Sequence, residues 1–305
     1  MPRGLCVPDA CFSDGDPIVL VVIGYVVVVV AVLGGYALTG GHMGALYQPA
    51  ELIIIGGAAV GAFISSNSGK AIKATMKAMP SLLQGSKYKK ELYLDVMALL
   101  YVLLSKARRE GILFLEKEIA DPASSSVFSQ YPRILADAKM MEFLTDYLRM
   151  MVNGNMNAFE IEALMDHEIE TYRHEAEIPV HALSRVGDGL PAFGIVAAVM
   201  GVVHALASAD LPPAELGALI ANALVGTFLG ILLAYGFVSP LSSRVEHQVS
   251  ESIKVYECIK VTLLASLNGY APLVAVEFGR KVLYSTVRPS FLELDDHVRE
   301  VKSLT

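Results

Sequence analysis

Four apolar stretches free of Asp, Glu, Lys and Arg dominate this sequence: Ile18 to Leu38, Leu52 to Ile64 with looser flanks, Pro191 to Ser208, and Leu216 to Val238. A helix needs about 20 mainly apolar residues to cross the hydrocarbon core of a bilayer. Helices suit that task because each backbone polar group finds its partner inside the segment. The second stretch reaches the required length only when Tyr47, Gln48 and Ser65 are counted with it. Composition agrees, since 18% charged residues is below the roughly 25% of soluble domains. The first stretch does not read as a secretory signal. Its flank sets Arg3 against Asp9, Asp14 and Asp16, the wrong charge for such a signal, and no small-residue cleavage site follows. The sequence therefore predicts an all-α integral membrane protein with four transmembrane helices and a large helical cytoplasmic domain.

Lysine and arginine set the expected orientation, because positive charge is retained in cytoplasmic loops. Apart from Arg3, fifteen of the 24 lie between Asn67 and Arg185 and eight between Arg244 and Lys302. The two short connections, Thr39 to Glu51 and Ala207 to Glu215, contain none. Both connections are expected outside, with both large polar segments and the N-terminus inside, as in a multi-pass protein of the inner membrane. This divides the chain into an extension (1–17), spans one and two (18–66), a cytoplasmic helical domain (67–185), spans three and four (186–241) and a cytoplasmic C-terminal helical region (242–305). A net charge of −7 argues against nucleic acid, whose binding rests on a basic footprint. Cys6, Cys11 and Cys258 are too widely spaced for a CxxC pair.

Within the polar regions the apolar residues recur at three and four. Leu92, Val96, Leu99 and Leu103 mark an amphipathic helix that Gly111 ends or bends. Met140 to Val152 and Ala158 to Arg173 behave alike, and no strand-like alternation occurs. Val245, Val249, Ile253 and Tyr256 extend the fourth span's helix into the polar region, with a stop at Asn268-Gly269. From Tyr284 onward the sequence suggests a short surface tail.

Small residues recur at helical spacing inside the spans: Gly57 and Gly61, Gly194 and Ala198, Ala197 and Gly201, Gly226 and Gly230. Such pairs allow close helix approach, within one chain or between copies. Pro191 and Pro240 stand at the polar ends of the third and fourth spans, where proline ends or kinks a helix, and are expected at one common depth. Thr227 lies mid-span with Asn222 about one turn away. Its hydroxyl either bonds its own helix backbone or lines a wet path. His204 falls toward the far end of the third span. An ion path ordinarily carries an ionisable group within the membrane, and these spans contain none, so a conducted proton would need a carboxylate from a partner. Arg108-Arg109-Glu110 and Glu116-Lys117-Glu118 place charge on either side of Gly111, which suits a solvated face or the steering of a partner. Enzyme signatures fail: Ser68-Gly69-Lys70-Ala71 lacks the first glycine and the Ser or Thr of a phosphate loop. His167 and His174, seven apart, read as a solvated helix face. No enzymatic activity, cofactor or metal is expected.

Longer blocks carry a resemblance. Gly34-Gly35-Tyr36, Gly44-Ala45-Leu46-Tyr47-Gln48-Pro49-Ala50-Glu51-Leu52, Pro132-Arg133-Ile134-Leu135-Ala136-Asp137 and Phe159-Glu160-Ile161-Glu162-Ala163-Leu164-Met165-Asp166 resemble the MotA family of flagellar motor stator subunits. So do Val186-Gly187-Asp188, Pro191 through Gly201, and Ala275 through Lys281. The resemblance implies a pentamer around two MotB chains, which supply the ion-binding aspartate and the peptidoglycan anchor. It implies that Arg108 and Glu116 meet the rotor protein FliG, that Pro191 and Pro240 couple conformation to ion flow, and that Ala198 and Thr227 lie beside the MotB aspartate. The pattern around the last two resembles proton-driven members. An energy transducer of the ExbB or TolQ type would have three spans. A permease would need more polar groups at mid-membrane than Thr227 and Asn222, and a passive scaffold would tolerate change at Thr227, Pro191 and Pro240.

Overall fold

The computed structural model describes residues 17–83, 85–154 and 157–304, and among these there is no strand. The helices are α1 (Pro17–Leu38), α2 (Pro49–Ser66), α3 (Gly69–Leu83), α4 (Lys90–Glu110), α5 (Leu113–Ala120), α6 (Pro132–Leu135) and α7 (Ala138–Asn153). They continue as α8 (Ala158–Ala207), α9 (Pro213–Leu233), α10 (Ser239–Leu267), α11 (Pro272–Val282) and α12 (Phe291–Leu304). A single 3₁₀ turn, Met43–Leu46, precedes α2, and a π turn, Ala234–Val238, joins α9 to α10. Four of these helices are long and apolar enough to cross a membrane. Arg3, Cys6 and Cys11 lie outside the described residues.

The chain divides into two compact units. The first holds the chain up to Gly85 together with Ile178–Glu246, and so contains the apolar helices. The second holds Ser86–Glu177 and everything from His247. Two helices, α8 and α10, contribute to both.

In the apolar unit the third span is not a separate helix opening at Pro191. It is the second half of the 50-residue α8, which runs unbroken through Pro179 and Pro191. A proline inside a helix forfeits one backbone bond, a loss that membrane helices tolerate when their surroundings satisfy the freed group. Pro240 does disturb its helix. Immediately before it the ladder widens into the π turn, with the Ser239 N–H bonding the Ala234 carbonyl five residues back. The Tyr25 hydroxyl of α1 donates to the Phe237 carbonyl at 2.9 Å, and the two rings meet at 5.0 Å, tilted by 44°. A local widening of this kind arises where proline removes a donor from the ladder.

The polar unit is organised around α4, whose Tyr93, Met97, Leu99, Leu100 and Leu103 are completely buried. Gly111 ends that helix with φ +96°, a conformation that costs glycine least. The start of α8 is a reciprocal cap: the Asn157 side chain accepts from the Glu160 N–H at 2.9 Å, and Glu160 accepts from the Asn157 N–H at 3.0 Å. Gly279 lets α11 close on α10, since a Cβ there would stand 3.0 Å from the Cys258 carbonyl and collide with the Thr262 hydroxyl. The buried Arg280 beside it donates to Glu277 at 2.6 Å and to the Pro289 carbonyl at 2.8 Å. Burial pushes the Cys258 thiol up to about 12, so this cysteine serves as packing.

The segment after Tyr284 is not a surface tail. It folds back as α12, which packs on α4 and buries Leu294 and Val298. The helix begins with a capping box: the Glu293 N–H donates to Ser290 Oγ, and Glu293 accepts from the Ser290 N–H at 2.6 Å. Lys90 donates to the other carboxylate oxygen at 2.6 Å. The Lys90 bond, and then the two Ser290 bonds, hold the Glu293 carboxyl down at about 2. Because the folded value is depressed, this contribution is complete above the ordinary carboxylate range and is lost as pH falls toward 2. Ser290→Ala should loosen α12 by about 1 kcal/mol at neutral pH. Amide exchange over 291–304, corrected for intrinsic rates, should accelerate in that variant, and in the parent chain below about pH 4.

Candidate functional site

The small residues of α8 and α9 face each other within one chain. A Cβ added at Gly194 would stand 2.7 Å from the Gly226 carbonyl and 3.0 Å from Gly230 Cα. At Gly201 it would meet Ala223 Cβ at 2.6 Å, and at Gly230 the Leu190 carbonyl at 2.7 Å. Backbone touches backbone along this seam, and it does so because side chains are missing. Three of the four small-residue pairs are thereby assigned to packing within the chain. Gly57 and Gly61 on α2 are different, with nothing within 4 Å of an added Cβ.

Glu51 enters the seam from the first turn of α2. It is 9% exposed. A Cβ at Gly226 would lie 2.7 Å from its Oε2, and one at Gly201 would lie 3.6 Å from its Oε1. The carboxyl thus fills the notch that the two glycines leave. Its Oε2 is buried and has no hydrogen-bond partner among the described residues. Gly226 stands thirteen residues beyond Pro213, about 20 Å along α9 at 1.5 Å per residue. The carboxyl therefore lies well below the turn that joins α8 to α9. This corrects the expectation that the chain has no ionisable group at depth. Glu51 falls one residue before the strictly apolar Leu52–Ile64 core and looks like a flank. The helix in fact begins at Pro49, and the 3₁₀ turn ahead of it packs against the side of α9, which sets the entry of α2 low. Pro49-Ala50-Glu51, an N-terminal proline followed by an acid in the first turn, was the available signal for that start.

Ala198 and Thr227 lie at this same level. The Cβ position at Gly226, next to Thr227, is 3.1 Å from Ala197 Cβ and 3.2 Å from the Ala198 nitrogen. Four other threonines in helices bond the carbonyl four residues back: Thr75 to Ala71 at 2.9 Å, and Thr145 to Met141, Thr171 to His167 and Thr262 to Cys258 at 2.8 Å. Half-buried Thr227 makes no side-chain hydrogen bond among the described residues, so its hydroxyl is available to another group. His204 is exposed and Asn222 half-buried.

Pro191 and Pro240 are not level with one another. A Cβ added at Gly187, one turn before Pro191, would stand 3.5 Å from Val238 and 3.3 Å from Ser239, whereas Leu190 sits against Gly230. Pro240 therefore lies about one turn further from the α8–α9 connection than Pro191. The expectation of a common depth counted residues from the apolar ends, and α9 runs longer than the third apolar stretch.

In the polar unit Arg108, Arg109, Glu110, Glu116 and Lys117 are all exposed. They take part in none of the unit's ion pairs among the described residues, in contrast to Lys87 with Asp137 or Lys260 with Asp166. Arg108 also lines a 420 Å³ cleft whose other walls include Ile112, Leu115, Leu267 and Tyr270. Glu118, in the same triplet as Glu116, is buried and accepts from Ser125 Oγ, which orders the loop after α5. His174 is exposed and bonds Glu170 at 3.1 Å.

Two family patterns match the chain: "Motility protein A N-terminal" over residues 22–111 and "MotA/TolQ/ExbB proton channel family" over residues 135–258. Motility protein A of Salmonella typhimurium is 64% identical over 93% of this chain and 96% of its own length. Motility protein A of Escherichia coli is 62% identical over the same shares. Among solved structures, the MotAB stator complex of Bacillus subtilis superposes with a TM-score of 0.69 at 27% identity, covering 92% of this chain and 98% of that one. The MotAB structure of C. jejuni gives 0.72 over 88% and 96% at 22% identity, a likeness of fold.

The seam generates a test. Gly226→Ala drives a methyl group against Glu51 and Ala197 and should cost about 1–3 kcal/mol by overpacking. Gly57→Ala, with open space around it, should be neutral. Glu51→Gln keeps the volume and should restore no stability to Gly226→Ala. Thermal aggregation midpoints of the detergent-solubilised chain distinguish the three.

Proposed function

Because the chain belongs to the Motility protein A group of the MotA/TolQ/ExbB proton channel family, we propose that it is a flagellar motor stator subunit. With MotB it forms a proton-conducting complex and turns ion flow into torque. The observation that carries this reading is 64% identity running through nearly the whole of both chains. Four spans and the match at 22–111 favour it over a three-span ExbB or TolQ transducer. In this reading the chain is a multi-pass protein of the inner membrane with its polar unit in the cytoplasm, as the lysine and arginine distribution supports. Five copies surround two MotB chains.

The proposed path runs where Ala198, Thr227 and Glu51 share one level. Buried Ala198 lets α8 stay close to α9 at this level, and the free Thr227 hydroxyl can donate to or accept from the aspartate that MotB brings. Protonation of that aspartate changes its charge and its hydrogen bonds, and the α8–α9 seam shifts in response. Pro191 and Pro240 lie on the continuous helices that leave the seam. Each lacks a backbone bond, which makes them the positions where bending costs least. One charge crossing 100 mV releases about 2.3 kcal/mol, so each step is a small rearrangement. Arg108 and Glu116, exposed and without an ion pair among the described residues, are free to meet charges on FliG.

Arg108→Glu should reduce swimming, and reversal of the opposing charge on the rotor should restore it. Unaltered motility in the single variant would count against the contact. Thr227→Val should slow swimming at unchanged protein level. Swimming should persist in sodium-free medium and stop with a protonophore, as proton drive requires.

A further inference from the structure

Residues 67–90 contain six lysines, Lys70, Lys73, Lys77, Lys87, Lys89 and Lys90, and no Asp or Glu, in a chain whose net charge is −7. Lys87 and Lys90 are engaged within the polar unit, by Asp137 and Glu293, each at 2.6 Å. The three on α3 are exposed and form no ion pair among the described residues. At 100° per residue Lys70, Lys73 and Lys77 fall within about 60° of one another on the helix. A second face carries buried Ala71 and Thr75, and α3 packs against α1. The third face carries Ile72, Met76 and Met79, with Met76 68% and Met79 42% exposed.

Position decides what covers that third face. The membrane-spanning α2 ends at Ser66 and α3 begins at Gly69, so only two residues separate a span from this helix. Packing on α1, itself a span, keeps α3 beside the bilayer. A helix held there with an apolar stripe next to a cationic one meets the conditions for lying in the membrane interface. The methionines enter the acyl boundary while the lysine stems reach out to the headgroups. A run of basic residues directly after a span, with no acid to neutralise it, is attracted to anionic lipid. We propose that α3 is an interfacial helix that gathers anionic phospholipid around the chain through Lys70, Lys73 and Lys77, with Met76 and Met79 inserted below the headgroups.

The chain contains no tryptophan, so Met76→Trp supplies a single fluorophore on this face. The full-length variant is reconstituted in equimolar phosphatidylglycerol and phosphatidylcholine, with bromine on the acyl chains of one lipid or the other. Bromine quenches only on contact. The expected result is quenching by both lipids, about threefold stronger from brominated phosphatidylglycerol. Replacing all three lysines with glutamine should bring the ratio close to one while quenching itself persists. Equal quenching by the two lipids with the lysines intact would overturn the anionic preference. Quenching by aqueous iodide with none from either lipid would overturn insertion. Efficient disulfide formation between copies carrying Met76→Cys would assign the face to a contact between subunits and overturn the proposal as well.

Discussion

The close approach of α8 and α9 is the contact on which the rest of the apolar unit depends. Lipid chains are as apolar as leucine, so helices in a bilayer gain little from hiding apolar surface and associate through close packing and polar contacts. Here that packing is backbone against backbone at Gly194, Gly226 and Gly230. The same absence of side chains opens the notch that the Glu51 carboxyl occupies between Gly201 and Gly226. One feature, glycine at helical spacing, therefore produces both the rigidity of the hairpin and the one deep polar position on α2. A bulkier residue at Gly226 would tighten neither, because it would have to displace the acid.

The two prolines gain meaning from that seam. Helices pinned backbone to backbone cannot slide freely there, so a change of tilt has to be taken up toward the polar end of the glycine contacts or past it. Pro191 stands between Gly194 and Leu190, near that end, and Pro240 follows the π turn. In the proposed mechanism the two helices would therefore give way at staggered levels. The Tyr25 hydroxyl on the Phe237 carbonyl ties α1 to the widened turn, so bending at Pro240 also has to carry or break that bond.

Much of this was legible in the sequence. Four apolar runs, the helix ending at Gly111, the stop at Asn268-Gly269 and the extension of the fourth helix through Tyr256 all follow from local rules, and the structure places them there. Where the reading failed, the deciding information was not local. Glu51 lies a single residue outside the apolar core of its span, and only the low entry of α2 beside α9 makes it deep. The segment after Tyr284 reads as surface because of Glu293, Asp295 and Asp296. Its Ser290-to-Glu293 box and the four-residue spacing of Leu294 and Val298 are present, but too short to outweigh that acidic run. The levels of Pro191 and Pro240 depend on how one helix is registered against another, which residue counting along each helix does not contain. The free hydroxyl of Thr227 is a similar case. Threonine in a helix ordinarily bonds backward, as Thr75, Thr145, Thr171 and Thr262 do, and nothing in its neighbours' identities marks Thr227 as the exception.

Charge is distributed with the same economy. Inside the polar unit the cations that matter to folding are matched: Lys87 to Asp137, Lys90 to Glu293, Lys260 to Asp166 and Arg280 to Glu277. Arg280 is buried and pairs within α11. The other three pairs contribute little individually, but together they tie segments distant in sequence. The α3 lysines and the cluster around Gly111 are among the cations that form no ion pair in the described residues. Long cationic side chains lose rotamer freedom when ordered and gain nothing internal at these sites, so folding alone does not account for them. They differ in kind as well. The α3 group is uniformly positive and borders an apolar stripe, which suits a diffuse anionic surface such as lipid. The Gly111 group alternates Arg108, Arg109 and Glu110 with Glu116 and Lys117, a pattern that rewards one registered partner and repels a uniform one. In the proposed reading the chain presents two surfaces with different selectivity, one for a fluid that needs no alignment and one for a protein that does.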